Sequence, residues 1–383
     1  MKKFKKAVLA SILGISLLPG FAFAQEAENV NAVVNQYGDE NSAEIHQTGL
    51  SNYAEINQGD ADNDIPSNYG IAYIEQVNDG SHIAHIYQYG GVDSDSNNQA
   101  TILQNEGGSN TATITQIYEG DENTNPNIAL IKQGGYENHA EQYQEGAGNQ
   151  AYIYQDIDPE DDNNLATQTQ IGLNNLAEIY QAGTYLEAHQ YQKGELNEAL
   201  IDQAGTSLKA YQYQEGELNK ALINQAGDSN VAEQYQFGEG NHAEISQEET
   251  KNYAGIGQEG VGNEAYQTQI GEGNEAIITQ YGNSNVASQT QNGNGNYANI
   301  YQYGDGNVAS QTQNANENYA DIYQQGNGNY AKQIQSTDSN IAYISQIGIG
   351  NEALQVQGIS GGSGYYSSIT QIGNYNSASI YQY

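Results

Sequence analysis

Asn296-Tyr297-Ala298-Asn299-Ile300-Tyr301-Gln302-Tyr303-Gly304-Asp305-Gly306 is followed at once by Asn307-Val308-Ala309-Ser310-Gln311-Thr312-Gln313, the same phrase begun again. Asn, Ala and a closing Gln return every eleven residues, and the closing Gln runs from Gln170 and Gln181 to Gln346 and Gln357 without a slip. The position between Ala and that Gln mostly alternates (Gln289, Ile300, Gln311, Ile322, Gln333, Ile344, Gln355), so the full period is twenty-two residues. A fixed period of this size predicts stacked structural repeats.

Each eleven-residue unit divides into seven strand residues and four turn residues. Alternate side chains of a strand face opposite ways, so Asn, Ala, Ile or Gln, and the closing Gln share one face. The positions between them hold Tyr, Glu, Ser, Asn, Thr and Lys, which suit solvent. Gly-x-Gly-Asn, as at Gly304 to Asn307, supplies the positive φ angles of a reversal. Two strands and two turns make one coil, and the next coil stacks on it at about 4.8 Å, in parallel and in register. The predicted fold is an all-β β-solenoid with two parallel sheets, coils of about 22 residues and about 15 coils in the chain. A buried amide is costly unless paired, and identical amides one coil apart can bond along the axis. Asn285, Gln291, Asn296, Gln302, Asn307, Gln313, Asn318 and Gln324 are the expected rungs.

Residues 1–24 begin Met-Lys-Lys-Phe-Lys-Lys, continue with an apolar run from Ala7 to Leu18 and end Ala22-Phe23-Ala24. That is the pattern of a secretory signal peptide cleaved before Gln25, and its apolar run is too short to span a bilayer. No membrane insertion is expected. The remainder divides into less regular coils at 25–163, regular repeats at 164–357 and a C-terminal coil at 358–383. Without Cys, no disulfide framework supports it outside the cell. The formal net charge is −37, and the leader holds four of the ten basic residues, so binding nucleic acid through a basic patch is not expected. Both the first and last strands carry the ordinary repeat pattern, and solenoids that stay monomeric need caps. End-to-end polymerisation into a cross-β homopolymer is the expectation.

Four longer spacings interrupt the N-terminal third, and the first three leave the same edge of successive coils. Their loops are acidic, and Asp60, Asp62, Asp64, Asp93 and Asp95 have the alternate spacing of a calcium loop's first half. The Gly and Glu of an EF-hand are missing at the required places. These residues are candidate Ca²⁺ ligands, with solvated charge that slows premature aggregation as the alternative. The six His (His46, His82, His85, His139, His189, His242) fall mostly on outward positions of separate strands, so neither metal chemistry nor enzyme catalysis is expected. Ile245 and Ile256 are consecutive across Glu248-Glu249-Thr250-Lys251, a turn without Gly, which predicts a weak joint near 247–258. Most of the 32 Tyr lie outward, as strand formers that also suit an adhesive face.

The unit Gln-x-Gly-x-x-Asn-x-Ala, closed by Gln at the end of the next strand, resembles the curlin repeat, and it recurs through nearly the whole chain after residue 24. Curlins are subunits of curli, the amyloid fibres of bacterial biofilm matrix. The resemblance implies a β-solenoid, export through a dedicated outer-membrane secretion pore, fibre growth from a nucleator subunit, and a secreted fibre at the cell surface, resembling a pilus, that builds matrix and adheres. The Gly-rich leader of the major curlin is absent before the first repeat, and this chain has more repeats than fibre-forming curlins carry. Aliphatic inward positions of the N-terminal third resemble a nucleator, whereas the Gln-bearing strands and the closing Tyr381-Gln382-Tyr383 resemble a major subunit. Two rival readings are a monomeric surface adhesin and an ice-binding solenoid. The second needs a Thr array, and Thr167/Thr169 give way to His189/Tyr191, Tyr211/Tyr213 and Glu233/Tyr235.

Overall fold

The structure, a computed structural model, describes residues 7–8, 22–24, 31–49, 51–59, 69–77, 80–90, 98–105, 107–119, 125–155, 162–358 and 362–383. The chain divides into two compact units, Met1–Ala199 and Leu200–Tyr383. Among the described residues, besides the short strands Ala7–Val8 and Ala22–Ala24, thirty strands run from Asn31–Gln36 to Ser377–Gln382, and both units are β-solenoids.

Within unit 1, successive strands of one sheet are Tyr53–Gln58, Ile83–Gly90, Thr111–Tyr118, His139–Ala147, Leu165–Leu173 and Glu187–Glu195, all parallel. The second sheet carries Ser42–Gln47, Ile71–Val77, Gln99–Asn105, Ile128–Gln133, Gln150–Gln155 and Leu176–Thr184. Ala54 pairs with Ala84 and Gln58 with Gln88, thirty residues on, so an insertion leaves the register untouched. A slip of one residue would turn every inward amide to solvent, which is why the register is kept across the longer spacing. The two short N-terminal strands pair with the first coil: Ala7–Val8 is antiparallel to Val34 and Asn35, and Ala22–Ala24 is parallel to Ile45–Gln47.

Unit 2 keeps the twenty-two-residue register throughout, as in Tyr297↔Tyr319, Ala298↔Ala320, Ile300↔Ile322 and Gln302↔Gln324. Burial mostly alternates along the strands, with Ala298, Ile300 and Gln302 fully covered while Tyr303 stays exposed, though Asn299 is covered too. Ala holds the two sheets close, and each buried Ile contributes roughly 1.5–3 kcal/mol. At the expected joint, Ile245 pairs with Gln267 in one sheet and Gln234 with Ile256 in the other, so the Ile and Gln columns exchange sheets there.

Turn chemistry follows from crowding between coils. Gly304 has φ 108°, and a Cβ there would lie 2.3 Å from the Gly326 carbonyl oxygen. Gly306 has φ 64° and open space where a Cβ would go. In the turn without Gly, Glu249 occupies the place of the first glycine at φ 70° and Lys251 that of the second at φ 55°. Left-handed backbone costs a residue with a side chain about 1–2 kcal/mol; side chains take the second-glycine place in many turns, as at Leu196, Leu218 and Ser284, whereas at the joint Glu249 adds that cost at the first.

Candidate functional site: the amide ladders

The closing glutamines form one continuous relay in each sheet of unit 2. In the first, Gln280 Nε2 donates to Gln302 Oε1 at 2.8 Å, Gln302 to Gln324 at 2.9 Å, and Gln324 to Gln346 at 2.9 Å. In the second, Gln269 donates to Gln291 at 2.8 Å, Gln291 to Gln313 at 3.0 Å, and Gln313 to Gln335 at 2.9 Å. Every rung points from coil n to coil n+1. The second N–H of the same Nε2 crosses to the opposite sheet, Gln302 reaching the Val286 carbonyl at 3.1 Å and Gln313 the Tyr297 carbonyl at 2.9 Å. One buried amide thus ties a coil to its successor and its two sheets to each other.

The asparagine ladder runs the other way. Asn296 Nδ2 donates back to Asn274 Oδ1, Asn307 to Asn285 and Asn285 to Asn263, each at 3.1 Å. The same Oδ1 also accepts the backbone N–H of the following Asn, as from Asn307 N to Asn285 at 3.0 Å. The remaining N–H caps a turn carbonyl, Asn285 to Gly304 and Asn307 to Gly326, both at 2.7 Å. Asn318 is placed in this column, with its backbone N–H on Asn296 at 3.0 Å, but its Nδ2 has no partner. The carbonyl it would reach belongs to a turn without Gly, where Thr337 instead accepts from Asn340.

Where an inner glutamine column begins above an isoleucine, its first Oε1 has no donor. Gln142 stands above Ile114 and Gln267 above Ile245, and both oxygens are buried and unpaired. Elsewhere the column is closed: Gln289 donates to Gln311 and Gln311 to Gln333, each at 2.9 Å.

Three features escaped the sequence reading. A further ladder lies along the turns, where the residue after Gly accepts a backbone N–H one coil back: Asn283 N donates to Asp305 Oδ1 at 2.9 Å and Asp305 N to Asn327 Oδ1 at 3.1 Å. The other edge repeats it with Glu272 N to Asn294 and Asn294 N to Asn316, both at 2.8 Å. Its signal was the recurrence of Asn or Asp at that turn position. The second is His82, which is not outward but takes an Asn place in the ladder, fully buried, its backbone N–H on Asn52 Oδ1 at 3.0 Å. Neither ring nitrogen has a partner, and burial pushes its pKa below the ordinary 6.5. The missed signal was parity, since His82 directly precedes the strand, where Asn52 and Asn110 stand in neighbouring coils. The third is Leu186 and Leu208, buried where Asn otherwise stands.

Outward, Thr167 Oγ1 lies 2.6 Å from His189 Nδ1, and His189 Nε2 lies 3.2 Å from Glu187 Oε1. The order resembles nucleophile, base and orienting acid. The strand Leu165–Leu173 is hydrogen-bonded to Glu187–Glu195 along its length, so its N–H groups are committed to the sheet rather than available to hold an oxyanion. Among the described residues, no group of three or more His, Asp or Glu is placed to hold a metal ion. Asp60, Asp62, Asp64, Asp93 and Asp95 lie outside the described residues.

Parallel in-register coils joined by buried amide relays define a structural β-solenoid repeat protein. The family model described as the curlin associated repeat matches residues 31–59, 216–248, 250–282, 271–304 and 315–354, and the chain is a curlin-repeat protein. No curated protein matches its sequence.

Proposed function

We propose that this chain is a secreted subunit that adds head to tail into extracellular cross-β fibres, serving biofilm matrix and adhesion. The carrying observation is the single direction of the glutamine relay. Each coil offers Nε2 donors on its C-terminal side and Oε1 acceptors on its N-terminal side, so successive copies have complementary ends. At one end Gln47 Oε1 is buried without a donor. At the other, the last strands Tyr366–Ile372 and Ser377–Gln382 have a strand neighbour on one side only among the described residues. Stacking a second copy puts its Asn31–Gln36 on Tyr366–Ile372 and its Ser42–Gln47 on Ser377–Gln382, bringing Gln382 to Gln47. Parallel strand edges and amide stacking supply the affinity.

The leader supports export, and family membership supports an outer-membrane secretion pore and a nucleator subunit as partners. A coil edge partly covered by leader residues becomes available only after cleavage at Ala24.

The test is incubation of the chain from Gln25 onward at micromolar concentration, followed by electron microscopy and fibre diffraction. Fibres with an axial reflection near about 4.7–4.8 Å are expected. A chain that remains monomeric in the ultracentrifuge for days overturns the proposal and leaves the monomeric adhesin in its place.

A further inference from the structure

The outward face of unit 2 carries tyrosines in register. Tyr297 and Tyr319 stack with ring centroids 4.9 Å apart and planes 10° from parallel. Tyr319 continues to Tyr343 at 5.4 Å, and Tyr343 to Tyr366 at 6.0 Å. Tyr366 is 62% exposed, so the ring chain begins at a side chain that an oxidant can reach. Two residues along on the same strands Asn299 and Asp321 pair in register, and the Asp321 carboxylate interacts electrostatically with the Tyr319 phenol. Burial pushes the Asp321 pKa up, which makes its carboxylate a better acceptor for a phenol proton.

We propose that Tyr297 and Tyr319 are a site of oxidative phenol coupling, a covalent staple between successive coils formed by a haem peroxidase with hydrogen peroxide. Each phenol loses one electron and one proton, the Tyr319 proton passing to Asp321 and then to water. The two phenoxyl radicals join through a bond between ring carbons ortho to oxygen, and each displaced ring hydrogen moves to oxygen as the ring regains aromaticity. Two electrons and two protons convert one peroxide into two waters, so the step balances. A radical first formed on Tyr366 reaches the pair through Tyr343. The stacked pair is favoured over a random one because register holds its rings in contact before oxidation, the entropic advantage of a preassembled reaction. Both rings belong to one chain, so the coupling does not depend on fibre growth and is separable from its failure.

Stacks at Tyr281/Tyr303 (5.2 Å) and Tyr154/Tyr180 (4.9 Å) share the geometry. Tyr297/Tyr319 is singled out because its ring column continues through Tyr343 to Tyr366 and its strand carries Asp321, a carboxylate that burial holds above its ordinary pKa.

The experiment treats the folded protein with peroxidase and peroxide, cleaves after Glu and maps linked peptides by mass spectrometry. Cleavage at Glu275, Glu317 and Glu352 puts the two tyrosines on separate peptides, 276–317 and 318–352. A linked pair two hydrogens lighter than the sum of its parts is expected, localised to Tyr297 and Tyr319 by fragmentation. It disappears in Tyr297→Phe and in Tyr319→Phe, and falls several-fold in Asp321→Asn with an unchanged circular dichroism spectrum. The proposal is overturned if folded protein yields no such link, or if chain oxidised in denaturant yields it equally. An undiminished yield in Asp321→Asn refutes the carboxylate's part.

Discussion

Replacing Gln311 by Ile and Gln267 by Ile is the same chemical change in the same column, with different expected costs. Gln311 accepts from Gln289 and donates to Gln333 and to the Asn299 carbonyl, all at 2.9 Å. Removing it leaves the Gln333 Oε1 without its donor and takes one of the two acceptors from Gln289. Gln267 accepts nothing, because Ile245 lies beneath it. Removing it deletes the orphaned oxygen already there and creates one at Gln289, so the relay starts one rung later. The two variants differ by one buried unpaired acceptor, about 1–3 kcal/mol, and one lost hydrogen bond, about 1 kcal/mol. The expected gap is therefore about 2–4 kcal/mol, with Gln311→Ile the worse. Repeat stability is roughly additive from coil to coil, so local opening is the quantity to measure. Amide exchange across Val286–Asn292 and Val308–Gln313 should speed up by about thirty- to a thousand-fold more in Gln311→Ile than exchange around Gln267 does in Gln267→Ile, since each 1.4 kcal/mol is tenfold. Equal acceleration in the two variants would refute the relay as the source of coil-to-coil cohesion.

Turn glycines separate in the same way. Gly304→Ala meets the Gly326 carbonyl oxygen and should cost about 3 kcal/mol or more, whereas Gly306→Ala costs about 1–2 kcal/mol, both read by thermal unfolding. Glu249→Gly should stabilise the joint by about 1 kcal/mol, seen as slower exchange at 247–258. For His82 the folded pKa is depressed, so its contribution is intact above pH about 6.5 and is lost as pH falls below that, because the unfolded chain takes the proton first. Urea unfolding of His82→Asn at pH 7.5 and pH 5 should show a smaller pH dependence than the parent; an unchanged dependence contradicts the assignment. Tyr73, Tyr143, Tyr253 and Tyr319 are pushed up to about 12, by burial first and then by neighbouring carboxylates. Raised folded values mean that these phenols stabilise fully below pH about 10 and lose that contribution as pH climbs toward 12. Phenolate absorbance of folded protein should appear later than that of urea-unfolded protein.

The linear chain determined a great deal here because the fold is one local rule repeated. Alternation put Ala298, Ile300 and Gln302 on one face, the eleven-residue spacing placed the turns, and the twenty-two-residue period set which strands meet. Even the exchange of columns at Ile245 and Ile256 could be read from parity. What parity does not contain is direction. Whether Gln302 donates forward or back depends on which carbonyl of the opposite sheet its second N–H meets, here Val286, and only the packed sheets set that distance. The same holds for the orphaned oxygens of Gln142 and Gln267, which arise from what lies one coil below. It holds too for Tyr297 and Tyr319, whose ring contact depends on side-chain rotamers on a crowded face. His82 marks the boundary: sequence position gave its column, but the loss of both ring partners follows from its burial in the stack, with Gly80 packed beside its Nε2. Period is a property of the chain and survives in one dimension, whereas hydrogen-bond direction and solvent exclusion require neighbours from other coils.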